Sequence, residues 1–128
     1  MIAGIGADIV EVPRVARLLA RYGERFARRV LASAEWDGFR TSPNRQIYLA
    51  GRFAAKEAFA KALGTGLRHP VSLCSISVTN DALGKPSIGL DPVLERMLAS
   101  RGITARHVTL THERSMACAF VVLETDPR

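Results

Sequence analysis

The stretch PNRQIYLAGRFAAKEAFAKAL, Pro43 to Leu63, decides the fold. It is rich in strong helix formers, and it is predicted to be the longest helix of the chain. Ser42 is the expected N-cap and Gly64 the expected C-terminal stop. One face carries Ile47, Gly51, Ala54, Ala58 and Ala62. Side chains that small let a helix lie close against a sheet. Arg45, Arg52 and Lys56 share a different face. Glu57 and Lys61 fall between, at the edge of the small-residue stripe. A charge at such an edge is half-buried, and so either paired or functional.

The sheet for this helix to cover comes from both ends of the chain. Residues 2–10, Ile-Ala-Gly-Ile-Gly-Ala-Asp-Ile-Val, read as a first strand. Two glycines within it imply close approach by a ligand or by another backbone. Pro13 opens a helix at its first turn. Helical spacing then puts Val15, Leu19, Tyr22 and Phe26 on one face, with Arg14, Arg17, Arg21, Arg25 and Arg28 on a neighbouring stripe. Gly23 divides this helix into two pieces, and Ser33 to Phe39 suggests a further short helix. Val71 to Thr79 and Ser87 to Leu90 have strand character, separated by turn residues Asn80 to Pro86. Asp91-Pro92 opens a helix that ends near Ser100, before Gly102. His107 to His112 alternates, with Val108, Leu110 and His112 on one side. Met116 to Glu124 reads as a near-continuous apolar strand, central in its sheet, and Glu113 to Ser115 as the hairpin turn before it. The expected fold class is α+β: one domain over residues 1–128, a mostly antiparallel sheet packed on one long helix.

Composition bounds the function. The 128 residues are 48% hydrophobic and 23% charged, an ordinary globular balance. The longest wholly apolar run, Met116 to Leu123, is far short of the roughly 20 residues of a membrane span. The N-terminus lacks a basic start and carries Asp8, which argues against a secretory signal. Cys74 and Cys118 have no CxxC partner and read as buried thiols, so the expected location is the cytoplasm. The net charge is +6, and residues 41–69 alone hold five basic side chains against one acidic. A localised positive field favours an anionic partner. A nucleic-acid-binding module fits that charge, but aromatics are only 6% and no stacking pair or groove-reading helix is recognisable.

Individual motifs have two readings each. Gly4-Ile-Gly6-Ala-Asp8 lacks the third glycine of a dinucleotide fingerprint, which leaves Asp8 as a strand-end carboxylate or a functional one. Glu57 and Lys61 are spaced i,i+4, as a helix ion pair worth about 0.3–0.5 kcal/mol, or as a metal ligand and a phosphate ligand. Gly64-Thr65-Gly66 is a helix C-cap, or a loop whose amides approach phosphate oxygens. His112 is structural, or it hydrogen-bonds a phosphate. No metal-spaced His/Cys cluster suggests zinc.

Order and spacing narrow these alternatives. Gly4-Ile-Gly6-Ala-Asp8-Ile-Val is followed by Arg52-Phe53-Ala54-Ala55-Lys56-Glu57-Ala58-Phe59 and Lys61-Ala62-Leu63-Gly64-Thr65-Gly66. Gly84-Lys85-Pro86 and Val108-Thr109-Leu110-Thr111-His112 come after them. Together they closely resemble the small bacterial 4′-phosphopantetheinyl transferase family over residues 2–124; only Leu67 to Ser77 looks atypical. The resemblance implies transfer of 4′-phosphopantetheine from coenzyme A to a serine of apo-acyl carrier protein. It also implies a Mg²⁺ requirement, release of adenosine 3′,5′-bisphosphate, a part in fatty acid biosynthesis, and a homotrimer with coenzyme A between subunits.

By the same resemblance Asp8 and Glu57 are the metal ligands. Mg²⁺ takes one or two carboxylates together with substrate phosphate oxygens, so two carboxylates from different elements suit it. Lys61 is placed for the same phosphates. Glu57 is the first choice of proton acceptor and Asp8 the second. Arg45, Arg52 and His112 are assigned to the coenzyme's 3′-phosphate. Gly64, Thr65, Gly66, Lys85 and Pro86 complete the expected coenzyme contacts. The stripe Arg14, Arg17, Arg21, Arg25 and Arg28 suits docking of an acidic carrier protein.

Overall fold

Strand β1 (Ile2–Glu11) and helix α4 (Arg45–Leu63) meet at backbone distance, and the rest of the fold is arranged around that contact. A computed structural model describes residues 1–127. Between them lie α1 (Val12–Tyr22), α2 (Glu24–Val30) and α3 (Trp36–Thr41). After α4 come β2 (Ile76–Asn80), β3 (Pro86–Leu90), α5 (Pro92–Ser100), β4 (Ile103–His112) and β5 (Met116–Thr125).

The strands form two antiparallel sheets where the sequence suggested one. The larger has the order β1-β5-β4, with the apolar β5 in the centre, and β2 and β3 make a separate pair. In β5 the alternation is strict: Ala117, Ala119, Val121 and Leu123 are buried against α4. Their partners on β1 are Val10, Asp8, Gly6 and Gly4, so these share the inner face. The second reading of the strand glycines is therefore the observed one: another backbone approaches, that of α4.

Helix α4 is buried around most of its circumference, through Leu49, Ala50, Ala54, Ala55, Ala58, Phe59 and Ala62. Only the C-terminal part of the predicted small-residue stripe meets the sheet. Gly51 faces open space. The helix begins two residues later than predicted and its N-cap is Asn44, whose Oδ1 accepts from the Ile47 amide at 3.0 Å. Ser42 bonds to Asn44 instead. Gly64 ends the helix as expected, with a left-handed φ of 82°.

Other boundaries moved for local reasons. The predicted strand from Val71 begins only at Ile76, because Leu73–Ser75 form a 3₁₀ turn after a cis His69–Pro70 bond. Strand β4 starts at Ile103, four residues before the predicted alternation. Gly23 separates α1 from α2 as expected, but the kink leaves Tyr22 exposed. Cys74, expected to be buried, is exposed beside the end of α2, where its Sγ donates to the Arg28 carbonyl oxygen at 3.3 Å.

Candidate active site

The inner-face register puts Asp8 where β1 passes the last turns of α4. Lys61 reaches across and places its Nζ 3.1 Å from Asp8 Oδ1 and 3.1 Å from the Ala7 carbonyl oxygen. Lys61 thus pairs with Asp8, and the i,i+4 bond to Glu57 is not made among the described residues. Glu57, one turn earlier, is half-buried. Burial raises its carboxyl pKa, the negative charge of Asp8 raises it further, and Lys61 partly offsets both. The two carboxylates therefore sit within electrostatic reach of one another. Both line a cleft of about 660 Å³ with Lys61, Arg14, Phe53 and Leu18.

Among the described residues, no three His, Cys, Asp or Glu side chains converge as a closed metal cage. The donor set here is two oxygen-bearing groups on rigid elements beside open cleft. That set fits a hard ion which completes its shell with water and substrate phosphate.

The other predicted residues divide into groups. The amides of Gly64, Thr65 and Gly66 all point back to the Ala60 carbonyl oxygen, at 3.0, 3.3 and 3.3 Å. The loop caps the helix, and its amides are committed there. Arg52 is buried. Its guanidinium lies 4.0 Å from the Tyr48 ring centroid, and its Nη2 donates to Asn80 Oδ1 at 2.6 Å. Arg52 and His112, distant in sequence, line one pocket with Tyr48, Gly51 and Thr111. Arg45 is not drawn into that pocket. It lies over the Phe39 ring and lines a separate cleft with Gln46 and Leu19. Lys85 is exposed in the turn between β2 and β3, and Pro86 begins β3.

The five stripe arginines are all exposed. They do not form one helical stripe, because the break at Gly23 puts Arg14, Arg17 and Arg21 on α1 and Arg25 and Arg28 on α2. Arg14 belongs to the carboxylate cleft. Arg25 lines a neighbouring cleft with Leu18, Tyr22 and Phe26, and Arg28 another with Trp36 and Arg40.

Sequence reasoning grouped Lys56 with Arg45 and Arg52 on one face of the helix and gave it no partner. Lys56 is fully buried, with Nζ 2.5 Å from Glu35 Oε1 and 2.5 Å from the Val30 carbonyl oxygen. Glu35 Oε1 also accepts from the Ala32 amide, and its Oε2 from the Val78 amide. Burial lowers the Lys56 pKa more than Glu35 raises it. The pair ties the α2–α3 segment and β2 to α4, next to Glu57. Nothing in the spacing of Glu35 and Lys56 signals that they meet.

Known proteins share this fold and sequence. The sequence pattern of the 4′-phosphopantetheinyl transferase superfamily matches residues 4–121. The holo-[acyl-carrier-protein] synthase of Nitrosospira multiformis is 54% identical over 124 residues, covering 97% of this chain and 99% of the relative. That of Laribacter hongkongensis is 53% identical over the same shares. The crystal structure of the Neisseria meningitidis holo-[acyl-carrier-protein] synthase superposes with a TM-score of 0.93 at 45% identity, covering 98% of this chain and 100% of that one. The Bacillus anthracis enzyme in complex with CoA (3′,5′-ADP) gives a TM-score of 0.83 at 35% identity, covering 98% and 99%. With its fold and its sequence agreeing over nearly the whole length, the chain belongs to the 4′-phosphopantetheinyl transferase superfamily, in its holo-[acyl-carrier-protein] synthase family.

Proposed function

We propose that this protein transfers the 4′-phosphopantetheine arm of coenzyme A to a serine hydroxyl of an apo-acyl carrier protein, with Mg²⁺ as cofactor. The observation that carries this is the meeting of Asp8, Glu57 and Lys61 in one open cleft. Relatives named holo-[acyl-carrier-protein] synthase and a relative in complex with coenzyme A support the substrate class.

Asp8 and Glu57 hold the ion, which when bound neutralises charge on the diphosphate and orients it. The serine oxygen forms a bond to the phosphorus bearing the pantetheine arm, and the bond from that phosphorus to the bridging oxygen breaks. Adenosine 3′,5′-bisphosphate leaves with the bridging oxygen. Glu57 accepts the serine proton, directly or through water. Its raised proton affinity suits that task, because a base works best when its pKa lies near the operating pH. Lys61 turns from Asp8 to the phosphates. The Arg52–His112 pocket takes the 3′-phosphate, with Lys85 and Pro86 on the turn that Asn80 ties to Arg52 and Arg45 at the start of the same helix. The exposed arginines of α1 and α2 attract the acidic carrier protein.

The outer face of the larger sheet supports a homotrimer. Ile5 and Ile9 of β1 and Phe120 of β5 are large apolar side chains more than 45% exposed on adjacent strands. A contiguous face of that kind on a soluble protein marks an interaction site. Phe120→Arg is expected to shift the species in light scattering toward the monomer. The wider role is carrier activation for fatty acid biosynthesis in the cytoplasm.

Mass spectrometry of apo-carrier incubated with this protein, coenzyme A and Mg²⁺ tests the proposal. The expected result is a gain of one phosphopantetheine arm on the carrier, absent without the metal. An unchanged carrier mass at saturating substrates overturns it.

A further inference from the structure

The side chain of Asn80 stands between two groups assigned above to the nucleotide end of coenzyme A. Its Oδ1 accepts from Arg52 Nη2 at 2.6 Å, and its Nδ2 donates to the Gly84 carbonyl oxygen at 2.8 Å. On one side is the buried guanidinium beside His112, on the other the turn that carries Lys85 and Pro86. Asn80 is the side chain that bonds to both. Arg52 stacks on Tyr48, but its Nε is buried without a hydrogen-bond partner. A short, charge-assisted bond to one edge of a planar guanidinium fixes the direction of its remaining N–H groups. The turn is closed internally by Asp81, whose Oδ1 accepts from the Leu83 and Lys85 amides. Asn80 ties that closed unit to the α4 side of the pocket.

We infer that Asn80 is a positioning residue for the coenzyme: through one amide it sets the plane of Arg52 and the place of the Lys85 turn together, and so tunes recognition of the 3′-phosphate. This rests on the assignment of Arg52 to that phosphate under the proposed function. Asn80 is exposed at the end of β2. Replacing it creates no core cavity, and a charged group's hydrogen bond is the main thing lost.

The test compares coenzyme A with dephospho-coenzyme A, which lacks the 3′-phosphate, in steady-state transfer at saturating carrier. The wild type, Asn80→Ala, Arg52→Ala and the double variant are assayed, with thermal melting of each. Asn80→Ala is expected to raise KM for coenzyme A about tenfold, the scale of one bond to a charged group. It lowers the preference for coenzyme A over its dephospho form by the same factor, and leaves KM for the carrier within about twofold. The double variant discriminates no worse than Arg52→Ala alone, because Asn80 acts through Arg52. Asn80→Asp keeps an oxygen on Arg52 but adds a negative charge there. It also lowers the preference, more steeply at low ionic strength.

A merely structural Asn80 lowers the melting temperature and weakens both coenzyme forms alike. That result, or an unchanged preference in Asn80→Ala when Arg52→Ala abolishes it, overturns the positioning role and leaves the pocket assignment standing. An unchanged preference in Arg52→Ala overturns the pocket assignment itself, and the positioning role with it. Additive losses in the double variant also overturn the link.

Discussion

Gly6 of β1 lies directly on the Ala58 turn of α4: a methyl group at Gly6 would overlap the Ala58 carbonyl oxygen. Gly4 stands in the same relation to Ala62, two residues along the strand and one turn along the helix. This close packing brings Asp8 of the strand beside Glu57 and Lys61 of the helix. Gly6→Ala must push the two backbones apart, since a carbonyl oxygen in a helix has nowhere to move. The expected loss exceeds the 1–3 kcal/mol common for overpacking, because backbone meets backbone. Thermal melting should show a drop of about 10 °C or more. Transfer activity should fall further than the unfolded fraction explains, since Asp8 moves with the strand.

Both halves of that contact were legible in the sequence, because they are written in residue sizes. Two glycines at strand spacing announced a close approach, by a ligand or by another backbone, and alanines at helix spacing announced a helix lying close on a sheet; the structure joins the two. The apolar run of β5 and the C-cap at Gly64 were equally plain. What the sequence did not reveal are meetings between elements distant in the chain. Lys56 showed no partner because Glu35 lies 21 residues away, on a segment with no sign of burial. Asn80 read as turn chemistry, and that is half of its role; its bond to Arg52 spans 28 residues. The cap at Asn44 in place of Ser42 reflects two cap-competent residues on either side of Pro43, between which local preference does not choose. The arginine stripe failed as a single face because Gly23 turns the chain there.

The buried Glu35–Lys56 pair should matter to stability more through its breakage than through its presence. Both side chains are shielded from water. Glu35→Ala leaves the Lys56 ammonium facing only the Val30 carbonyl and frees the Ala32 and Val78 amides. Loss of one partner of a buried pair costs about 3–5 kcal/mol. Urea denaturation should show that loss for Glu35→Ala. Glu35→Leu combined with Lys56→Met should lose clearly less than the two single changes added. Additive losses would mean that the charges do not depend on one another.

Glu57 gives the protein a specific pH signature. Its carboxyl holds a proton more tightly folded than unfolded, because it is half-buried beside Asp8. Between the ordinary glutamate value of 4.5 and the raised folded value, the native state binds more protons than the unfolded chain. Stability from this group therefore falls as pH rises through that window and stays reduced above it. Glu57→Gln removes the ionised group and with it the penalty. The variant should melt above the wild type at about pH 7, and the two should converge in acid, below the unfolded value. The same variant should lose transfer activity with Mg²⁺ saturating. A parallel melting difference at all pH values would count against the Asp8–Glu57 coupling.

The arginines of α1 are not equivalent, and charge reversal should tell them apart. Arg21, at the end of α1, is stacked over Tyr22 and is not among the residues lining the carboxylate cleft. Arg21→Glu should raise KM for the carrier, most strongly at low salt, and leave KM for coenzyme A unchanged. Arg14 lines the carboxylate cleft itself, so Arg14→Glu should weaken both substrates. Equal effects of both reversals on coenzyme A would contradict a carrier-docking role for Arg21.

The Lys61–Asp8 contact carries a consequence for metal loading. The ammonium occupies Asp8, one of the two carboxylates proposed to hold the ion, at 3.1 Å. Lys61 is more than half exposed, so the pairing is loose and exchangeable. In the free protein a divalent cation must displace it, with only two protein ligands in return. With coenzyme A present the phosphates offer Lys61 another anion and offer the metal further oxygens. Titration of Mn²⁺ by electron paramagnetic resonance should therefore show weak binding to the free wild type and much tighter binding with coenzyme A. Lys61→Met should bind Mn²⁺ several-fold more tightly than the wild type when coenzyme A is absent, yet transfer far more slowly. If Lys61→Met binds Mn²⁺ no better than the wild type, the ammonium does not compete for Asp8, and its contact in the free protein has no bearing on how the site fills.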